Sequence, residues 1–351
     1  MLFRSPAKVC YATFTGKAAQ VLLKKGNRNV VTLHKLLYDS IPRAAGGFMR
    51  IPKKTLDYSV VVVDEVSMAP KTLMDLLFKH NVYVICLGDP FQLPPIEKDE
   101  DNHLLDNPHI FLDEIMRQAA ESEIIRLTMD IREGKSLTIG KGNQVHIIPA
   151  NAMTTGMYTW ADQVLVATNL TRHAINDQMR EMKGFGPNPC SGDKVICLRN
   201  YWDVISDFGK GDPLVNGTIG ILYDPKPDVI KVPFYAYDKG SINVLAGQFV
   251  SETGMDYDIQ NLDPRIIRGG ESELEWRDKY KLGKLRERIG DVIPKEFAYG
   301  YAITCHKAQG SEWDKVLVVE ENFPRPKDEH ARWLYTAATR AVEKLVIRRK
   351  D

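Results

Sequence analysis

Ser59-Val60-Val61-Val62-Val63-Asp64-Glu65 is the stretch that decides the fold. Four consecutive β-branched valines suit a strand buried on both faces of a parallel sheet, and the run stops on two carboxylates. A helical stretch, residues 71–80, leads to a second apolar run, residues 82–87, read as another buried strand with Cys86 as a small core residue. That run also ends in turn chemistry, Gly88-Asp89-Pro90-Phe91-Gln92-Leu93-Pro94-Pro95. Strands separated by helices imply a parallel α/β sheet, and such sheets bind ligands at the C-terminal edge of their strands. Asp64, Glu65 and Gln92 all fall at that edge. One carboxylate there can hold Mg²⁺ while its neighbour orients or deprotonates a water. The Gln92 amide can both donate and accept beside a phosphate. Taken singly, an acidic strand end and a Gly-Asp-Pro turn are also ordinary structure.

Upstream, residues 8–14 form a strand-like run ending at Thr15-Gly16, and residues 18–25 read as a helix stopped by Gly26-Asn27. Residues 39–54, rich in Gly, Pro and basic side chains, read as a loop or a small inserted hairpin, either strand-separating or simply solvated. Downstream, residues 115–132 have helical spacing, and a strand at 163–167 precedes a helix at 172–182. Between 216 and 291 the character turns β-rich, with strand-like pieces at 218–223 and 229–237 and a charged, solvent-facing helical stretch at 271–288. The α/β pattern returns at 297–305, 315–319 and 345–348.

The 351 residues carry a formal net charge of +1. No overall basic field marks a nucleic-acid binder, so any such contact must come from local placement of Lys and Arg. Five scattered cysteines without a C-x-x-C pair suggest neither a disulfide framework nor a zinc site, and fit a reducing, cytoplasmic setting. No segment has the apolar length of a membrane span, and the N-terminus lacks the apolar core of a secretory signal. Trp202 and Trp313 read as packing residues.

Near the C-terminus come Thr304-Cys305-His306-Lys307-Ala308-Gln309-Gly310 and Tyr335-Thr336-Ala337-Ala338-Thr339-Arg340-Ala341. The second presents a guanidinium, the group best suited to stabilise charge on a transferring phosphoryl. In order, the chain contains TGKAA (from Thr15), VVVVDE, GDPFQLPP, Met116-Arg117-Gln118, TCHKAQG and YTAATRA. Together these resemble motifs Ia, II, III, IV, V and VI of superfamily 1B DNA helicases of the RecD/Dda type, over nearly the whole length. Gly192-Asp193-Lys194-Val195 and Asn216-Gly217-Thr218-Ile219-Gly220 resemble the entry to that family's small β-barrel insertion.

The resemblance implies an α/β fold of two RecA-like parallel-sheet motor domains, the first N-terminally truncated, with an SH3-like β-barrel inserted in the second. The implied boundaries are 1–112 with a small insertion at about 39–57, then 113–215, the barrel at 216–291, and 292–351. It implies ATP and Mg²⁺ as cofactors, with Asp64 as the Mg²⁺ ligand, Glu65 activating water and Gln92 linking the γ-phosphate to the DNA site. Arg117 and Arg340 are the implied arginine fingers, and Gln309 and Gly310 lie near the nucleotide. Thr15, Lys17, Thr304 and His306 are the implied contacts to the backbone of single-stranded DNA. The implied partners are single-stranded DNA, duplex junctions and other replication or recombination proteins, and the implied direction is 5′-to-3′.

The chain departs from the family at one point, because nothing in it matches the phosphate-binding loop G-x-x-x-x-G-K-[ST]. At Gly16-Lys17, Tyr11 stands where the first glycine would be and Ala18 where the Ser/Thr would be. Without that loop's N–H groups and lysine the expectation is weak or absent ATPase. Three readings follow: a helicase whose loop lies ahead of these residues, a fragment that binds DNA without hydrolysis, or one half of a split enzyme.

Overall fold

The computed structural model describes residues 8–42, 48–95, 100–112, 122–206, 213–231, 240–265, 267 and 294–350. Arg117, the side chain of Trp202 and the charged stretch 271–288 lie outside the described residues or side chains. In chain order the elements begin β1 (Val9–Thr13), α1 (Gly16–Lys24), β2 (Val30–Thr32), α2 (Leu33–Leu37), β3 (Tyr38–Pro42), β4 (Phe48–Pro52), β5 (Val60–Asp64), α3 (Lys71–Phe78) and β6 (Tyr83–Cys86). They continue with α4 (Glu123–Arg132), β7 (Gly140–Lys141), β8 (Val145–Ile148), α5 (Thr155–Trp160), β9 (Gln163–Val166), α6 (Asn169–Met182), β10 (Asp193–Cys197), β11 (Tyr201–Ile205) and β12 (Pro213–Leu214). The last are β13 (Ile219–Lys231), β14 (Ser241–Ser251), β15 (Asp256–Leu262), β16 (Phe297–Tyr299), β17 (Ala302–Thr304), α7 (Cys305–Ala308), β18 (Trp313–Val319), α8 (Lys327–Ala338) and β19 (Ala341–Arg348).

The chain divides into two compact units. The first comprises residues 1–37, 53–172 and 302–351 and the second 38–52 and 173–301. The first unit contains two sheets. One is fully parallel, ordered β2-β1-β5-β6, and the other is ordered β17-β9-β18-β19-β8-β7 with only β7 antiparallel. Each is the parallel α/β sheet expected from the valine run. β5 lies between β1 and β6, and Val61 and Val63 are fully buried while Val60 and Val62 are half-buried. β6 departs from the expectation of a strand buried on both faces. It is the edge strand, and Tyr83, Ile85 and Leu87 are 78%, 49% and 48% exposed. A continuous apolar run signals burial but cannot distinguish one covered face from two. Helix α1 starts at Gly16, two residues before the expected start, because the Thr15 hydroxyl accepts from Ala18 N at 3.2 Å and caps it there.

The second unit is built on an antiparallel sheet ordered β15-β14-β13-β10-β16. The expected strand piece at 218–223 falls largely within one 13-residue strand, β13, as does the start of the piece at 229–237, of which residues 232–237 lie outside the described residues. Asp224-Pro225 lies between the two expected pieces. In the structure it is a bulge where the β13–β14 register shifts after Tyr223, with Asp224 at φ 47°. Gly247 opposes the bulge, and a Cβ there would meet Tyr223 O at 2.7 Å, so only glycine lets the two backbones approach. The insertion at 39–54 is realised as the antiparallel pair β3–β4, with Tyr38 opposite Pro52 and Pro42 opposite Phe48. Among the described residues no helix is long and apolar enough to cross a membrane.

Candidate nucleotide and DNA site

The site lies within the first unit, at the C-terminal ends of β5 and β6. β5 ends at Asp64, and the chain then reverses through Glu65, which sits in the left-handed region at φ 53° and ψ 45°. That conformation is costly for a side chain with a Cβ. It is held because the next turn is anchored by fully buried Val66, whose N–H donates to Leu87 O at 2.9 Å. Gly88 lies close to the same turn: a Cβ there would meet Leu105 Cδ1 at 2.9 Å and Val66 Cγ1 at 3.1 Å, so those side chains would have to shift. Burial pushes the Glu65 carboxyl above the usual carboxylate range. Arg340 pulls it back, Asp64 and Asp89 push it further up, and the Gln92 amide pulls it back again. The net raised affinity for a proton suits a group that must take one from water.

The loop after β6 is tied down at both ends. Asp89 Oδ1 accepts from Phe91 N at 2.9 Å, and Asp89 Oδ2 accepts from the Tyr335 hydroxyl at 2.6 Å. Burial and that carboxylate hold the Tyr335 phenol well above its ordinary range, so it is a permanent donor. Leu93 N donates to Thr336 Oγ1 at 3.0 Å, and Gln309 Nε2 donates to Leu93 O at 2.8 Å. Gln92, only 8% exposed, is thereby fixed in the buried interior, and its Oε1 has no hydrogen-bond partner among the described residues. An orphaned buried acceptor is costly unless a ligand completes it. Sequence reading assigned no role to Asp89, Tyr335 or Thr336. The only signal they gave was membership in the quoted motifs.

Arg340, 7% exposed, enters the same neighbourhood from the end of α8. Its Nε donates to Thr336 O at 3.0 Å, Nη1 to Ser311 O at 3.2 Å and Nη2 to Thr339 Oγ1 at 2.9 Å. Gly310, at φ 72°, makes the turn after Gln309, and a Cβ there would lie 3.4 Å from Ala18 Cβ and 3.7 Å from Thr15 Oγ1. The structure therefore brings Asp64, Glu65, Gln92, Gln309, Gly310 and Arg340 into one unit around a single loop cluster.

The four residues expected at DNA are placed as follows. Thr15 caps α1, and Lys17 Nζ lies 5.1 Å from the centroid of the Trp313 ring, which is 7% exposed and packs as read from the sequence. Thr304 is half-buried at the start of α7 and makes no side-chain cap bond. Burial lowers the His306 pKa, so its imidazole is neutral at pH 7 and any contact to a phosphate would be a hydrogen bond rather than an ion pair.

A Mg²⁺ ion would find carboxylates here but no closed cage, since no cluster of three or more His, Cys, Asp or Glu able to hold a metal occurs among the described residues.

Because the folded state favours protonated Glu65, the stability present at low pH is eroded as pH rises through the raised folded-state pKa. Glu65→Gln is accordingly expected to raise the melting temperature at neutral pH. The gain should vanish below about pH 4, where the wild-type carboxyl is protonated in both states. Melting curves across pH check both the sign and the window.

Residues 3–150 match the AAA domain family model and residues 299–347 the UvrD-like helicase C-terminal domain. The chain is 26% identical to the ATP-dependent RecD2 DNA helicase of Deinococcus radiodurans over 348 residues, covering 94% of this chain and 41% of that protein. It is 41% identical to Uncharacterized protein R530 of Acanthamoeba polyphaga mimivirus over 372 residues, covering 83% of this chain and 75% of that protein. Among solved structures it superimposes on the Bacteroides Pif1 helicase in complex with ADP-AlF3 and ssDNA at TM-score 0.51 and 18% identity, covering 99% of this chain and 83% of that one. The Candida albicans Pif1 helicase matches at TM-score 0.52 and 15% identity, covering 100% and 95%. These likenesses make the two parallel sheets those of two RecA-like domains. The chain belongs to the superfamily 1B helicases of the RecD/Pif1 type.

Proposed function

We propose that this chain is the motor body of an ATP-driven helicase that moves 5′-to-3′ on single-stranded DNA and opens duplex junctions. One observation carries the reading: a strained, proton-attracting Glu65, a buried Gln92 with an orphaned oxygen and the buried Arg340 guanidinium meet at the C-terminal end of a parallel sheet. In this reading Asp64 holds Mg²⁺, which when bound neutralises charge on the phosphate oxygens. Glu65 takes the proton of the attacking water. Gln92 orients that water or the γ-phosphate, and through Leu93 its loop feels Gln309 and Thr336. Arg340 and Arg117 offset the charge on the transferring phosphoryl. Thr15, Lys17, Thr304 and His306 face the DNA backbone, and β13, β14 and β15 of the second unit's sheet belong to the SH3-like insertion at 216–291. The domain boundaries are those implied by the motifs, and the setting is cytoplasmic.

The phosphate cradle must come from outside these 351 residues, because the G-x-x-x-x-G-K-[ST] pattern is absent from them. The same absence favours a second reading, a motor fragment that grips DNA without hydrolysis. Both readings predict that the purified chain binds a labelled oligothymidylate in preference to blunt duplex. Its affinity should fall steeply with salt, as counterion release demands. Titration by fluorescence anisotropy checks this, and equal or absent binding to both would remove DNA from the account.

A further inference from the structure

We infer that Phe111, Arg132 and Phe91 form a stacking platform for single-stranded nucleic acid, a contact point separate from the four DNA residues of the motifs. Arg132 closes α4, and its guanidinium carbon lies 4.0 Å from the centroid of the Phe91 ring and 5.8 Å from that of Phe111. No carboxylate among the described residues pairs with it. The acidic neighbours on either side, Asp130 and Glu133, are both engaged by Lys135 at 2.8 and 2.7 Å. The hydrogen bond Arg132 does make, Nη1 to Met129 Sδ at 3.5 Å, is a weak one and leaves most of its five donors open. Phe111 is 46% exposed, between Ile110 at 79% and Leu112 at 89%.

A half-exposed aromatic ring beside a planar cation that no described carboxylate pairs matches a nucleotide in both its parts. The ring offers a face to a base, and the guanidinium edge offers donors to the adjoining phosphodiester. The charge selects a polyanion over an apolar peptide. Phe91 sits one residue before Gln92 and packs 6.1 Å from Tyr335, so a strand seated on the platform would bear on the loop that fixes the nucleotide-facing amide. The inference rests on the DNA-binding reading above and adds a route from DNA to that loop.

The test is binding of a fluorescein-labelled oligothymidylate to the full chain and two variants, repeated with an abasic oligomer of equal length. Phe111→Ala, at a half-exposed position, should weaken binding of the oligothymidylate about tenfold and leave the abasic oligomer unaffected. Arg132→Gln should weaken both and reduce the slope of log K against log salt by about one. Arg132→Lys should restore that slope, which also guards against a loss caused by misfolding. Equal losses on both oligomers for Phe111→Ala would mark a structural effect and overturn the platform, as would wild-type affinity in the variants. A wild-type chain that binds neither oligomer would remove the DNA-binding reading and the platform together.

Discussion

Asp193→Ala is expected to cost the second unit about 3–5 kcal/mol, the largest stability loss of any single change considered. Asp193 is fully buried, and its two oxygens accept from Arg180 Nε at 2.8 Å and Nη2 at 3.2 Å, from Cys190 N at 2.8 Å and from the Tyr301 hydroxyl at 3.0 Å. Arg180 also donates to Asn188 O at 2.7 Å and stacks 4.2 Å from the Tyr299 ring centroid. Removing the carboxylate leaves a buried guanidinium with one carbonyl and a ring face, and takes this acceptor from Cys190 N, Cys190 Sγ and the Tyr301 hydroxyl. Breaking one side of such a pair is costly even where the pair itself adds little over an apolar replacement. Urea unfolding of the variant checks the figure. A shift in midpoint equivalent to under about 1 kcal/mol would mean that water reaches the cluster.

The second large effect is on chemistry. Arg340→Ala removes the cation beside Glu65 and takes the guanidinium donor from Ser311 O, while Thr336 O keeps only the Thr339 hydroxyl. In enzyme furnished with a phosphate loop, ATP turnover is expected to fall by about a thousandfold or more, the scale of an arginine finger. Arg340→Lys should recover little, because one ammonium cannot reach the three acceptors that the guanidinium spans. Affinity for oligothymidylate, measured on the same samples, should stay within about twofold and so separates lost chemistry from lost folding.

The valine run, the two acidic residues and the Gly-Asp-Pro-Phe-Gln loop were legible because burial and turn chemistry act on neighbours in sequence. What holds that loop was not legible. Asp89 meets Tyr335, and Leu93 meets Thr336 and Gln309, across more than 200 residues of chain. No periodicity in a single sequence encodes such a pairing. Gly192-Asp193 was visible as a motif, but its reason, a buried carboxylate loaded by Arg180 and Tyr301, emerges only when α6 and the 299–301 segment close around β10. β6 was misread because Val82 to Leu87 is apolar at every position, whereas the sheet leaves Tyr83 and Ile85 uncovered at its edge. β13 was divided in two because turn residues and charge separate its apolar pieces, whereas Pro225 and Pro227 sit at a bulge and beyond it within one strand.

The most direct measurement is DNA-stimulated ATP hydrolysis by the 351-residue chain, alone and with a strand–loop–helix segment bearing G-x-x-x-x-G-K-[ST] fused ahead of β1. The account predicts turnover near background for the chain alone and a gain of about a hundredfold or more on fusion, abolished by Arg340→Ala. Robust hydrolysis by the chain alone, or a folded, DNA-binding fusion that stays at background, would contradict it.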